Sequence, residues 1–228
     1  MPRFHIEPSL SYTQQNRVGV LLLNLGTPNA PTAAAVKPYL REFLSDQRVV
    51  ELPKLIWQPI LHGLVLTLRP KKSAHAYAKI WFEQGSPLDV YTQRQTDALA
   101  QAMPDTIVRY AMTYGNPSVE TVLAEMKAQG VGRLLIVPLY PQYAASSTGA
   151  ALDKVFQQLL KQRNQMSLRT VSRFYDDAAY IDAMKQQIEA YWKEHGRGEK
   201  LMLSFHGIPQ KNYDDGDPYP DECRHTAK

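Results

Sequence analysis

VGVLLLN (Val18–Asn24), broken at once by LGTPNAP (Leu25–Pro31), decides how the rest of this chain is read. A nearly unbroken apolar run stopped by Gly and Pro is what a parallel strand covered on both faces requires. Further runs share that character: TIVRYAMT (Thr106–Thr113), RLLIVPLY (Arg133–Tyr140), LRTVSRF (Leu168–Phe174) and KLMLSF (Lys200–Phe205). Helical patterns lie between them. They start near Thr32, at Pro87, at Ser118 (a cap, with Gly130 as stop), near Thr148, and at Asp177, ending at Gly196. Strands alternating with helices predict an α/β fold with open parallel sheets and flanking helices.

A short internal echo links LLLNLGTP to LMLSFHGIP, both ending in Gly-x-Pro, and aligning their glycines sets Leu25 opposite His206. It suggests two Rossmann-like halves, each opening on a strand that breaks sharply at its carboxyl end, where ligands gather in such sheets. The division expected is a tail at 1–16, a first half at 17–165 and a second at 166–228. After KLMLSFH one helix start remains and no strand, so the second half reads as incomplete.

Composition narrows the function. The 228 residues are 44% hydrophobic and 21% charged, with a net charge of +4, ordinary for a globular chain. RPKK (Arg69–Lys72) is the densest basic cluster, which argues against nucleic acid as partner. Cys223 is the only cysteine, so neither an internal disulfide nor a Cys-rich metal cage can form. Residues 1–16 lack an apolar signal core, and the greasy stretch LIWQPILHGLVLTL (Leu55–Leu68) is too short and interrupted to span a bilayer. The expectation is a cytoplasmic protein.

Several residues carry candidate chemistry. His206 ends a predicted strand, with Gly207 and Pro209 enforcing the break. A neutral imidazole there accepts a proton or binds a metal; otherwise it is a strand-end histidine bonded to a loop, which spacing alone favours. YDDGDPYPDEC (Tyr213–Cys223) is either a carboxylate path for a hard cation or a helix start capped by Asp217, and the cap is better supported locally. LYPQYAASSTG (Leu139–Gly149) is a ligand wall, or a loop whose Ser147 or Thr148 caps the next helix. Arg69 closes the greasy stretch, which suits a flat apolar anion, a membrane surface, or a core helix with a solvated basic end. GSP (Gly85–Pro87) reads as a helix-start turn. No G-x-G-x-x-G or G-x-S-x-G motif is present, so dinucleotide and serine-ester chemistry both drop.

In this order LLLNLGTP, GSP, YPQY with SSTG, SFHGIP and GDPYP resemble ferrochelatases, and FLSDQRVVELP and YAKIWFEQGSP resemble their proteobacterial branch. The resemblance covers Val18 to the last residue. It implies a chelatase-like fold of two Rossmann-like halves with a porphyrin cleft between them. The implied activity is insertion of Fe2+ into protoporphyrin IX, with iron as substrate and no prosthetic group. His206 is then the catalytic residue, as proton acceptor, iron ligand or both. Leu25, Arg69, Tyr77, Ser86 and Tyr143 become substrate-binding residues, and 55–68 a greasy lip that touches the inner membrane peripherally. The alternatives are a non-catalytic tetrapyrrole or haem carrier and a cobalt chelatase. The family's acidic partner of the histidine matches no glutamate in 1–228. The resemblance therefore implies a chain that lacks the family's C-terminal part, chelates weakly or not at all alone, and self-associates through exposed apolar surface.

Overall fold

A computed structural model describes residues 4–9 and 16–228. Its centre is a four-stranded parallel sheet. The strands are β1 (Arg17–Asn24), β2 (Ile107–Met112), β3 (Val131–Pro138) and β4 (Ser167–Thr170), in the spatial order β2-β1-β3-β4. β1 is central because it can be: Val20 to Leu23 are all buried.

Between β1 and β2 run α1 (Ala33–Ser45), α2 (Lys54–Ile60), a π-helical turn (Leu61–Val65), α3 (Leu66–Ala78) and α4 (Pro87–Ala102). Then α5 (Val119–Ala128) leads to β3, and a second π-helical turn (Ala145–Gly149) with α6 (Ala150–Leu159) leads to β4. The chain closes with α7 (Ala178–His195), α8 (Gln210–Asp214) and α9 (Tyr219–Thr226).

Alternation along β1 sorts the core into two faces. Leu21 and Leu23 pack with Val122, Leu123 and Met126 of α5 and Val155 of α6. Val20 and Leu22 look the other way, with Val108 and, on α4, Leu99. A third cluster joins α1 to the α2–α3 rod through Val36, Leu40, Leu44, Leu61 and Leu66. The rod is thus anchored by one face, leaving Leu55, Ile56, Ile60, Leu64 and Leu68 exposed.

Local signals hold where capping chemistry decides. Thr32 accepts from the Ala35 N–H, Ser118 from Thr121 and Asp177 from Ala179 and Tyr180, while Gly130 and Gly196 stop their helices at positive φ. Elsewhere the sequence reading needs correction. Lys200–Phe205 forms no strand: residues 200–209 belong to no helix or strand, and Met202 is 90% exposed. Its residues have strand composition, but no neighbouring strand supplies the ladder that a strand consists of. β4 is only Ser167–Thr170, and it is the outer strand of this same sheet rather than the opening of a second. Neither Ser147 nor Thr148 caps α6: Ser147 bonds back to the Ala144 carbonyl, and the buried Thr148 hydroxyl has no partner. Asp217 stands one residue before the cap position of α9, where its carboxylate accepts the Tyr219 N–H. Of the segment expected as a tail, residues 1–3 and 10–15 lie outside the described residues. Residues 4–9 dock on the fold: His5 donates to the Lys161 carbonyl, and Glu7 pairs with the buried Lys127.

The exposed area is 14535 Å², against roughly 10,500 Å² for a compact monomer of this mass. α2 and α7, which bury none of their residues, both add to the excess.

Gly26 is the tightest point at the end of β1. Its φ is +104°, and a Cβ there would sit 1.8 Å from the Tyr114 carbonyl oxygen. Gly26→Ala should therefore cost roughly 3 kcal/mol through overpacking and backbone strain. Urea unfolding checks it, and an unchanged midpoint would contradict this packing.

Candidate active site

The strand order creates a switch point between β1 and β3, because the crossover after β1 goes to one side and the next goes to the other. Crevices outside the carboxyl ends of strands at such points are where open α/β sheets bind ligands. A cavity of about 590 Å³ lies there, lined by Leu25 after β1 and by Tyr140 to Gln142 after β3, within the range of small-molecule sites. α1 contributes Tyr39, Leu40 and Phe43, α3 contributes Arg69, Ser73 and Tyr77, and the segment before α8 contributes His206 to Pro209. A second cavity of about 600 Å³, bounded by Thr27, Arg41, Glu42 and His62, shares only Tyr39 with it.

The sheet-end cavity has largely apolar walls with few charged groups. Leu25, Leu40, Phe43, Val49, Pro141 and Ile208 supply apolar wall. Arg69 is its only lysine or arginine and has no ion pair among the described residues. Among the described residues His206 is its only histidine, and no aspartate or glutamate lines it. Among the described residues no group of three or more His, Cys, Asp or Glu could hold a metal.

Phenols dominate the polar wall. Tyr39 donates to the Gly26 carbonyl at 3.2 Å; burial, and then the neighbouring Tyr77, push its ionisation far above the ordinary tyrosine range. Burial likewise raises Tyr77, partly offset by its hydrogen bond with Tyr39 and by Arg69. The buried Tyr140 hydroxyl has no hydrogen-bond partner at normal distance. It faces the Thr113 hydroxyl, which is committed to the Asn24 carbonyl at 3.1 Å. A buried unpaired hydroxyl costs about 1–3 kcal/mol.

Of the residues singled out from sequence, Leu25, Arg69, Tyr77 and His206 line this one cavity. Ser86 and Tyr143 do not. Ser86 is 4% exposed and sits at the start of α4, after the Phe82–Gly85 turn. The Tyr143 backbone N–H donates to Glu222 at 2.7 Å, and its ring lies under the Arg173 guanidinium. Tyr140, part of the LYPQYAASSTG wall expected from sequence, lines the cavity immediately after β3, on the same sheet edge as Leu25.

A ferrochelatase family model matches residues 17–228. The ferrochelatase of Neisseria gonorrhoeae (strain ATCC 700825 / FA 1090) is 78% identical over 222 residues, covering 97% of this chain and 66% of that protein. That of Neisseria meningitidis serogroup C is 77% identical over 225 residues, 99% of this chain and 67% of the relative. The ferrochelatase of Aromatoleum aromaticum is 50% identical over 233 residues, 100% of this chain and 64% of the relative. The chain thus spans about two thirds of the length of the curated relatives it matches.

The buried phenols give a pH signature. Burial raises Tyr39, Tyr114 and Tyr140, and Tyr110 to about 12. The folded state therefore holds these protons more tightly than the unfolded chain. Stability is intact below about pH 10, the unfolded value, and falls as pH rises from there. In a near-ultraviolet tyrosinate titration these phenols should ionise only as the chain unfolds. Smooth ionisation of all 13 tyrosines near pH 10 with the fold intact would contradict their burial.

Proposed function

The chain belongs to the ferrochelatase family, and from that membership we propose that the protein inserts ferrous iron into protoporphyrin IX to give protohaem, the terminal step of haem synthesis. The observation that carries the reading is the sheet-end slot with one imidazole and one unpaired cation among apolar and phenolic walls.

The chemistry follows from those groups. Free-base porphyrin carries two pyrrole protons that leave as the metal enters. The His206 imidazole accepts a proton at the ring face and can meet the incoming iron. Leu25 and Ile208 grip the macrocycle. Arg69, beside Tyr77, meets a propionate at the rim. Walls that fit a bent ring better than a flat one lower the barrier, because they bind the transition state more tightly than the ground state. Ser86 and Tyr143 support the site from behind, through the start of α4 and the loop after β3.

A second reading, a tetrapyrrole or haem carrier, is favoured by one observation: no carboxylate lines the cavity among the described residues. On that basis the 228-residue chain binds porphyrin but inserts iron weakly or not at all by itself. A cobalt chelatase acting on a more carboxylated tetrapyrrole fits less well, since Arg69 is the only lysine or arginine on the wall. The finer architecture, two Rossmann-like halves, is supported by the echo that sets Leu25 opposite His206, two residues that both line this cavity.

No described helix is long and apolar enough to cross a membrane. We propose a cytoplasmic protein touching the inner membrane peripherally through the exposed stripe of the α2–α3 rod, where Leu55 is 92% exposed. The exposed Leu201–Phe205 segment supports self-association of this chain.

His206→Ala should lower iron insertion by about 100-fold or more while leaving protoporphyrin binding in place, read by stopped-time haem formation and by porphyrin fluorescence. Unchanged insertion would remove His206 from the mechanism. Robust insertion by the unmodified 228-residue chain would overturn the expectation that it acts weakly alone.

A further inference from the structure

The cavity is assembled from pieces far apart in sequence, and the segment carrying His206 has no place in the sheet. Something else must hold it. The His206 backbone N–H faces the phenol oxygen of Tyr219 on α9, so the question becomes what fixes α9.

The answer is a pair of carboxylates. The Glu222 side chain is 4% exposed, and its two oxygens are divided. One accepts the Tyr143 backbone N–H at 2.7 Å, and the other takes the Arg173 guanidinium at 2.6 Å. Arg173 in turn lies 5.3 Å above the Tyr143 ring. Asp217 is divided the same way, accepting the Ala145 N–H at 2.8 Å and the Tyr219 N–H at 3.1 Å. Gln142 adds a donation to Thr226 at 2.9 Å. Gln142 and Ala144 line the cavity, as do Tyr219 and His206. Neither Glu222 nor Asp217 does.

We propose that Glu222, with Arg173 and Asp217, is a positioning clasp that locks α9 to the loop after β3 and so sets His206 against the tetrapyrrole cavity. This rests on the cavity being the tetrapyrrole site. The geometry favours the clasp over simple packing. Two carboxylates reach across from one short segment to the backbone N–H groups of Tyr143 and Ala145, in a loop that also supplies cavity wall. A buried carboxylate with both oxygens engaged has one geometry, whereas an apolar contact tolerates sliding. YDDGDPYPDEC is therefore more than a capped helix start: two of its acids hold the loop after β3.

The test observes the histidine rings of the chain by NMR without ligand, and protoporphyrin IX binding separately. Glu222→Gln and Arg173→Gln should each shift the His206 ring resonances and leave those of His5 and His195 in place. Arg173→Lys, which keeps the charge, should restore the parent His206 signal. Protoporphyrin affinity should fall about tenfold in the Gln variants, the scale expected when a positioned group is displaced. Should Glu222→Gln not fold, the half-exposed Arg173 variants decide alone. A folded Gln variant with an unmoved His206 signal would overturn the clasp. Moved His206 signals in a chain that binds no protoporphyrin would overturn the cavity reading while supporting the clasp.

Discussion

The end of β1 is the constraint on which the rest depends. A strand buried on both faces must stop abruptly at the sheet edge for a ligand to reach it. Gly26 makes that possible, because its backbone runs against the Tyr114 carbonyl where no side chain fits. The Asn24 and Leu25 carbonyls accept the Thr113 and Tyr114 N–H groups at 2.8 and 3.0 Å. The strand end is thereby tied to the β2 side, and the crevice opens on the β3 side. Leu25 and Tyr140 then flank one gap, and α1 with α3 folds over it.

From that edge the energetics divide cleanly. The sheet and its helices form a conventional apolar core, in which a buried leucine such as Leu21 is worth roughly 2–5 kcal/mol against alanine. The region after β4 is held differently, by hydrogen bonds and an ion pair between the buried Glu222 and the half-exposed Arg173, rather than by a core. Burying such a pair adds little net stability, but it specifies a position. Specification is what the role proposed for His206, outside the sheet, requires.

Legibility in the sequence followed the range of the interaction. Caps at Thr32, Ser118 and Asp177 could be read because each partner is three residues away or fewer. β1 to β3 could be read because burial on both faces leaves an apolar run. KLMLSF carries the same signal and misled, since composition shows that a strand is possible but not whether a neighbour exists. Motif resemblance points to Tyr143, whereas Tyr140 of the same loop is the one that lines the cavity. Neither the Glu222–Arg173 pair, 49 residues apart, nor the bond from Tyr143 to Glu222, 79 apart, leaves any local pattern. The candidate site was thus legible as a set of motifs, while the contacts that bring its parts together were not.

Hydrogen exchange on this chain, with and without protoporphyrin IX, tests the central claim most directly. The account predicts protection at Leu25 and its neighbours, at 69–77, at 140–147 and at 206–209 together. Protection confined to the cavity bounded by Thr27, Arg41 and His62, or to the exposed α2–α3 stripe, would contradict it.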